Sequence, residues 1–310
     1  MDHDRREFLM TAGASLAMMP LQRAFGVLAS PTAGVKVGMC DWNLGPRCDP
    51  GQISKAKEAH LEAIQVSIGT APNNMPLRKK DVREQYLRLG KQYGISFCSV
   101  AAGIMNEIPL KSEPEAAVYV IDALEAADAL GAQNILMAFF GKGDLRVETG
   151  REQYNNVSNG PFKEYELDHR GVDRVVAALK QIVPRAEILK VVLGFENTLT
   201  ARQNLEILER VGSKMIQVYY DIGNSTAYGY DVPAELRLLG NDRICEIHLK
   251  DWKTSILGSP AGQVNFQAVA KACKDIGYNK WYVLETSGRK DHFLEDTRTN
   301  VAYVKKLFAL

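Results

Sequence analysis

Residues 191–197 read VVLGFEN, an apolar run of strand length that stops on a carboxylate, Glu196. Three runs of the same kind follow. IQVYYDI at 216–222 stops on Asp221, ICEIHLK at 244–250 carries His248 near its end, and KWYVLET at 280–286 stops on Glu285. Each is short, rich in β-branched or aromatic residues and nearly continuous in hydrophobicity, which reads as a strand covered on both faces. The first half repeats the pattern more faintly, at 35–42 (VKVGMCDW), 63–69 (AIQVSIG), 95–101 (ISFCSVA) and 134–140 (NILMAFF). Helix-period segments separate them, at 52–62, 79–93, 113–130, 166–188, 200–211, 232–239, 265–276 and 291–308. Thr200 stands where a helix N-cap is wanted, and Gly94, Gly131, Gly212 and Gly277 follow helix ends that favour a left-handed residue. Eight strand–helix units predict an α/β fold, a (β/α)8 barrel forming a single domain over residues 30–310. No G-x-G-x-x-G follows the first strand, which argues against a dinucleotide-binding open sheet. The connection from Gly141 to Pro161 is long and polar, a candidate active-site lid or a plain insertion.

The four polar run-ends are the informative residues. In a barrel the C-terminal strand ends are neighbours on one rim, and that rim carries the chemistry. Strand alternation turns Val192, Gly194 and Glu196 inward and Val191, Leu193 and Phe195 toward the helices. Alone, each acid reads as a helix cap or salt-bridge partner, and His248 as a core histidine. At the ends of consecutive strands, Glu196, Asp221, His248 and Glu285 read together as a metal site, because three carboxylates in one mouth repel without a cation. Three carboxylates and an imidazole suit one divalent metal ion, Mn, Mg or Co, with Zn also possible. Lys250 is two residues beyond His248 and shares its face. It can hold a substrate oxygen or pair with Asp251 or Glu246.

The chain has 38 Lys plus Arg against 37 Asp plus Glu, a formal charge of +1, so the basic excess of a nucleic-acid binder is missing. No stretch reaches the roughly 20 apolar residues of a membrane span. At the N-terminus, Arg5-Arg6-Glu7-Phe8-Leu9 precedes a modestly apolar stretch, Thr11 to Pro20, and the small-residue site Val27-Leu28-Ala29. The order basic, apolar, small resembles a bacterial twin-arginine signal peptide over residues 1–29. It implies transient contact with the export machinery and a periplasmic location, without stable membrane insertion. None of the five cysteines forms a C-x-x-C pair; Cys98 and Cys245 read as core residues, and a Cys40–Cys48 disulfide is open in an oxidising compartment.

Glu196-Asn197, Asp221-x-Gly223-Asn224, His248-x-Lys250-Asp251 and Glu285, with Gly258 to Phe266, Gly277-Tyr278 and Trp281, resemble the xylose-isomerase-like TIM barrel superfamily in its sugar phosphate isomerase/epimerase branch. The likeness spans 35–310 and is strongest in the second half. It implies that Glu196, Asp221, His248 and Glu285 bind one divalent metal, with Glu196 and Glu285 as the catalytic acid/base pair. The expected function is a sugar isomerase or epimerase that moves a proton through a metal-stabilised enediolate. Lys250, Asn224, Trp42 and Arg289 are the candidate substrate contacts, Trp42 by stacking on a sugar face. The chain departs from the branch in having Asn224 for a frequent His, Arg202 for a second Glu and Gln65 for a frequent Glu. Export favours a free sugar or keto-sugar over a sugar phosphate. A metal-dependent dehydratase or lyase on the same site and a non-catalytic carbohydrate-binding barrel are the alternatives; a DNA-repair endonuclease of this superfold would need more histidines than the five present. A homo-oligomer is compatible with the sequence.

Overall fold

A computed structural model describes residues 34–71, 74–154 and 161–309, the side chains of 150–154 and 161–163 excepted. The expected twin-arginine signal peptide, residues 1–29, lies outside the described residues.

Among the described residues there are ten strands: β1 Lys36–Cys40, β2 Ala63–Ser67, β3 Ser96–Ala102, β4 Asn134–Phe139, β5 Arg146–Tyr154, β6 Pro161–Leu167, β7 Val192–Asn197, β8 Ile216–Asp221, β9 Ile244–Leu249 and β10 Trp281–Leu284. Eight of them close a parallel barrel in the order β1-β10-β9-β8-β7-β4-β3-β2. The helices are α1 Asp41–Leu44, α2 Gln52–Glu58, α3 Lys80–Tyr93, α4 Ala116–Leu130, α5 His169–Leu189, α6 Ala201–Val211, α7 Ile222–Ala227, α8 Val232–Leu239, α9 Phe266–Asp275 and α10 Phe293–Phe308. Residues from Gly34 onward form one compact unit, as expected of a single-domain barrel.

The core divides as strand alternation demands. Leu193 and Phe195 of β7 lie in the large cluster between strands and helices. Val192 packs instead on a small inner cluster of Ala101, Leu136, Ala138, Tyr219 and Cys245. A second inner cluster holds Cys40, Ala63, Cys98 and Val283. The inner layers use small residues because the strands converge there, and Gly194 is the sharpest case. A Cβ on it would stand 2.4 Å from the Ile135 carbonyl oxygen and 2.9 Å from Cys245 Sγ. All five cysteines are free and buried. The Cys40–Cys48 bond does not form because Cys40 points into the barrel while Cys48 packs in the outer cluster.

The segment expected to be an irregular connection after β4 is an antiparallel hairpin, β5 with β6. Residues 161–167 pair with β5 as a strand, so the helix begins later than expected, at His169, where Asp168 caps Gly171 N at 2.8 Å. Capping was legible elsewhere: Thr200 and Gln203 make a reciprocal capping box on α6.

Candidate metal centre

Parallel pairing sets the height of each ligand-type side chain. Asp221 is in register with His248, and His248 with Val283, two residues before Glu285. Glu196, next to last in β7, sits opposite Ala138 of β4. One ligand atom from each of Glu196, Asp221, His248 and Glu285 lies within 4.8 Å of all the others. Among the described residues this is the one group of three or more such side chains.

Asp221 divides its work. Its Oδ1 accepts from Asn224 N at 2.8 Å and caps α7, leaving Oδ2 turned to the cluster. Gly223 permits the close approach that follows: a Cβ there would meet Lys250 Cγ at 2.4 Å. Lys250 Nζ lies 2.7 Å from Asp221 Oδ2 and 2.5 Å from Glu285 Oε2, rather than on Asp251 or Glu246. Asp251 is a loop clasp, accepting from Lys253 N, Gln263 N and Val264 N. Trp42 Nε1 donates to Glu285 Oε1 at 3.2 Å.

His248 is fully buried and gripped from behind. Its Nε2 donates to Gln65 Oε1 at 2.9 Å, while Gln65 Nε2 donates to Ser99 Oγ and Tyr219 Oη, each at 2.9 Å. The Nδ1 edge then faces Glu196 at 2.9 Å, Glu285 at 3.5 Å and Asp221 at 3.9 Å. With Nε2 carrying the proton, Nδ1 presents a lone pair to three carboxylates, an arrangement that calls for a cation between them. The electrostatics agree. Burial, with Glu285 and Glu196 adding, lifts Asp221 to about 6 against the pull of Lys250 and His248. Burial opposes charge on His248, but Glu196, Glu285 and Asp221 outweigh it and raise the imidazole to about 9, so that without a cation a proton takes the Nδ1 lone pair and a bound ion must displace it. Burial likewise works against Lys250, whose ammonium Asp221, Glu285 and Glu196 nevertheless hold far above the usual lysine range.

The donor set fits one divalent ion. Bonds of about 2.0–2.2 Å to N and O place opposite donors roughly 4 Å apart, the spread seen here. A neutral His248, three carboxylates, Lys250 and a doubly charged cation also sum to zero charge.

The rim opens into a cavity of about 690 Å3 lined by Trp42, Asn224, Lys250, Glu196 and Glu285, so these expected residues do converge. Arg289 does not. It is clasped to Asp296, with Nη2 at 2.6 Å and Nε at 3.1 Å, and does not line the cavity. Arg202 is exposed on α6, away from any role in the cluster. Sequence reading missed Tyr219, Ser99 and a deeper pair, Glu246 Oε2 accepting from Asn134 Nδ2 at 2.7 Å. Burial lifts that Glu246 to about 6. Counting two residues back from Asp221 and from His248 reaches Tyr219 and Glu246, so the period of the strands carried that signal.

Residues 53–307 match the family described as "Xylose isomerase-like TIM barrel". A 2-epi-5-epi-valiolone 7-phosphate 2-epimerase from Actinoplanes sp. is 26% identical over 235 residues, 74% of this chain and 78% of that protein. Among solved structures, a D-psicose 3-epimerase from Clostridium cellulolyticum H10, with D-tagatose, superposes with a TM-score of 0.71 at 14% identity, covering 89% of this chain and 100% of that one. The IOLI protein, with a binding zinc atom, gives 0.65 at 17% identity, again over 89% and 100%. At these identities the two structures establish likeness of fold.

Proposed function

The chain belongs to the xylose isomerase-like TIM barrel family, and from that premise we propose that it is a sugar isomerase or epimerase dependent on one divalent metal ion. The observation that carries the reading is the convergence of Glu196, Asp221, His248 and Glu285 at the C-terminal mouth of the barrel. The epimerase named above supports the same reaction class. A divalent cation bound there would polarise a substrate carbonyl and favour loss of the neighbouring proton.

The chain's own residues supply the rest. Glu196 and Glu285 both face the cavity, one taking the proton from the carbon beside the carbonyl and the other returning it. Glu285 is aimed by Trp42 at Oε1 and Lys250 at Oε2. Asp221 and His248 hold the cluster together, and Lys250, protonated and buried at the cavity wall, offers charge to a substrate oxygen. The substrate is a free sugar or keto-sugar. Arg47 and Lys250 are the basic residues lining the cavity, and Lys250 is already paired to two carboxylates, which leaves little for a phosphate. The twin-arginine segment favours the same conclusion by placing the enzyme in the periplasm; recovery of the protein solely from the cytoplasmic fraction of its host would refute that location.

The test of the chemistry is deuterium incorporation from solvent into free ketoses, with metal content measured alongside. About one equivalent of Mn, Co, Zn or Mg and exchange at a carbon beside the carbonyl are expected. Glu196→Gln and Glu285→Gln each lower exchange by about 100-fold or more, the usual weight of a general acid or base. No exchange with any ketose after Mn2+ add-back would leave a carbohydrate-binding barrel instead.

A further inference from the structure

A second cleft of about 470 Å3 adjoins the first. The two share Trp42, Lys250, Trp252 and Glu285, so the second cleft opens directly beside the carboxylate cluster. Its own lining is different in chemistry. Asn43, Thr254, Ser255 and Ser287 present amide and hydroxyl groups there, and this cleft lacks the aliphatic and Phe140 wall that the first cavity sets beside its own polar groups.

Trp252 stands between the two spaces. It is 61% exposed and lines both spaces, so its indole offers an apolar face to whatever occupies them. Its position is built rather than loose. Asp251 pins the preceding turn through Lys253 N at 2.8 Å, Gln263 N at 2.7 Å and Val264 N at 2.9 Å. Lys250 Nζ sits 4.9 Å from the ring centroid. An exposed, fixed indole ringed by hydroxyl and amide groups is the chemistry that holds a pyranose, whose apolar face stacks while its hydroxyls bond around the edge.

Size points the same way. Clefts of about 300–1,000 Å3 hold drug-sized ligands. A single hexose is much smaller than that and leaves the adjoining spaces mostly filled with water.

We propose that the second cleft is a glycosyl subsite, and that the substrate is a glycoside or disaccharide. The reacting keto-sugar lies at Glu196 and Glu285, and its second ring lies against Trp252 beside Asn43, Thr254, Ser255 and Ser287. This inference rests on the sugar-handling reading above and names the substrate class for it.

The experiment is calorimetric titration of the Mn2+-loaded full chain with D-fructose and with ketose-terminated disaccharides joined through O3, O4 or O6. Deuterium exchange is followed on the same sugars. At least one disaccharide should bind about tenfold tighter than fructose. Ser287 is exposed and lines the second cleft alone, so Ser287→Trp should fill the cleft without disturbing the barrel. That variant should lose the disaccharide advantage while its fructose affinity stays within about twofold of the parent. Disaccharides that bind no tighter than fructose would overturn the subsite, as would an advantage that survives Ser287→Trp. Tight, Ser287→Trp-sensitive disaccharide binding with no deuterium exchange would uphold the subsite and refute the proposed chemistry.

Discussion

Gln65 holds His248 by Nε2, and that one bond decides what the other face of the ring can do. A histidine whose Nε2 proton is committed has a lone pair on Nδ1, and Nδ1 is the atom turned to Glu196, Glu285 and Asp221. Ser99 and Tyr219, by accepting from the Gln65 amide nitrogen, keep the amide oxygen on His248. A glutamine therefore does here what a carboxylate does in many metal sites: it fixes the tautomer, without adding a fourth buried negative charge. Gln65→Leu keeps an apolar side chain in the barrel floor but strands the Nε2 proton. Metal affinity in that variant should fall by about 10–100-fold, read by competition with a chelating dye. Unchanged affinity would mean that the ring is oriented by its packing against Tyr219 and Trp42 and not by the amide.

Among the elements, the β5–β6 hairpin is the addition that the barrel itself does not need. It is tied to the rim through Arg146. The Arg146 guanidinium pairs with Asp144 at 3.0 Å and lies 4.2 Å from the ring centroid of Tyr165 and 4.9 Å from that of Tyr228. Tyr228 in turn lines the larger cavity. Arg146→Ala removes the link between hairpin and cavity wall while leaving every barrel strand intact. KM for the sugar should rise by roughly fivefold or more, since a largely buried guanidinium against two rings is worth more than one exposed cation–π contact, with kcat nearly unchanged. Equal loss in kcat would move Tyr228 from the wall into the chemistry. The hairpin also marks where sequence reading stops. Barrel strands buried on both faces announce themselves as apolar runs, and the four ligand residues were visible as the polar ends of those runs. FKEYEL at 162–167 alternates only over Tyr165 to Leu167, too short a signal for a strand, and the helix-period segment at 166–188 takes in its last two residues. Arg289 failed for another reason: Asp296 lies seven residues along the chain, and nothing short of the folded turn reveals that it takes the Nε–Nη2 edge of the guanidinium. The Gln65 network was illegible because it joins β2, β3, β8 and β9, and barrel closure alone brings those strands to one point.

Across the whole molecule, the rim is an electrostatic conflict that the barrel holds in place. Strand register, helix capping and the inner layer of small residues fix three carboxylates within reach of one another, and the hydrophobic shell prevents water from screening them. Lys250 answers part of that charge, and Asp221 stays raised all the same, by its burial first and by Glu285 and Glu196 after it. A cation that binds the folded rim and finds no such site in the unfolded chain must stabilise the fold. At a Mn2+ concentration of about 100 times Kd the gain is about 2.7 kcal/mol. For a domain of this size that raises the melting temperature by about 5 °C or more. The gain should depend on pH in one direction. Metal binding requires the carboxylate forms and a neutral His248, and protons compete at Asp221 below about 6 and at His248 below about 9, so the shift should be largely gone at pH 5 and clearly larger, though not yet full, at pH 7.5. Glu285→Gln, which removes one donor and one negative charge together, should abolish most of the Mn2+ shift while melting close to the metal-free parent. Scanning calorimetry of both proteins at the two pH values, with and without Mn2+, settles it. A shift equal in Glu285→Gln and parent would place the stabilising ion somewhere other than this rim.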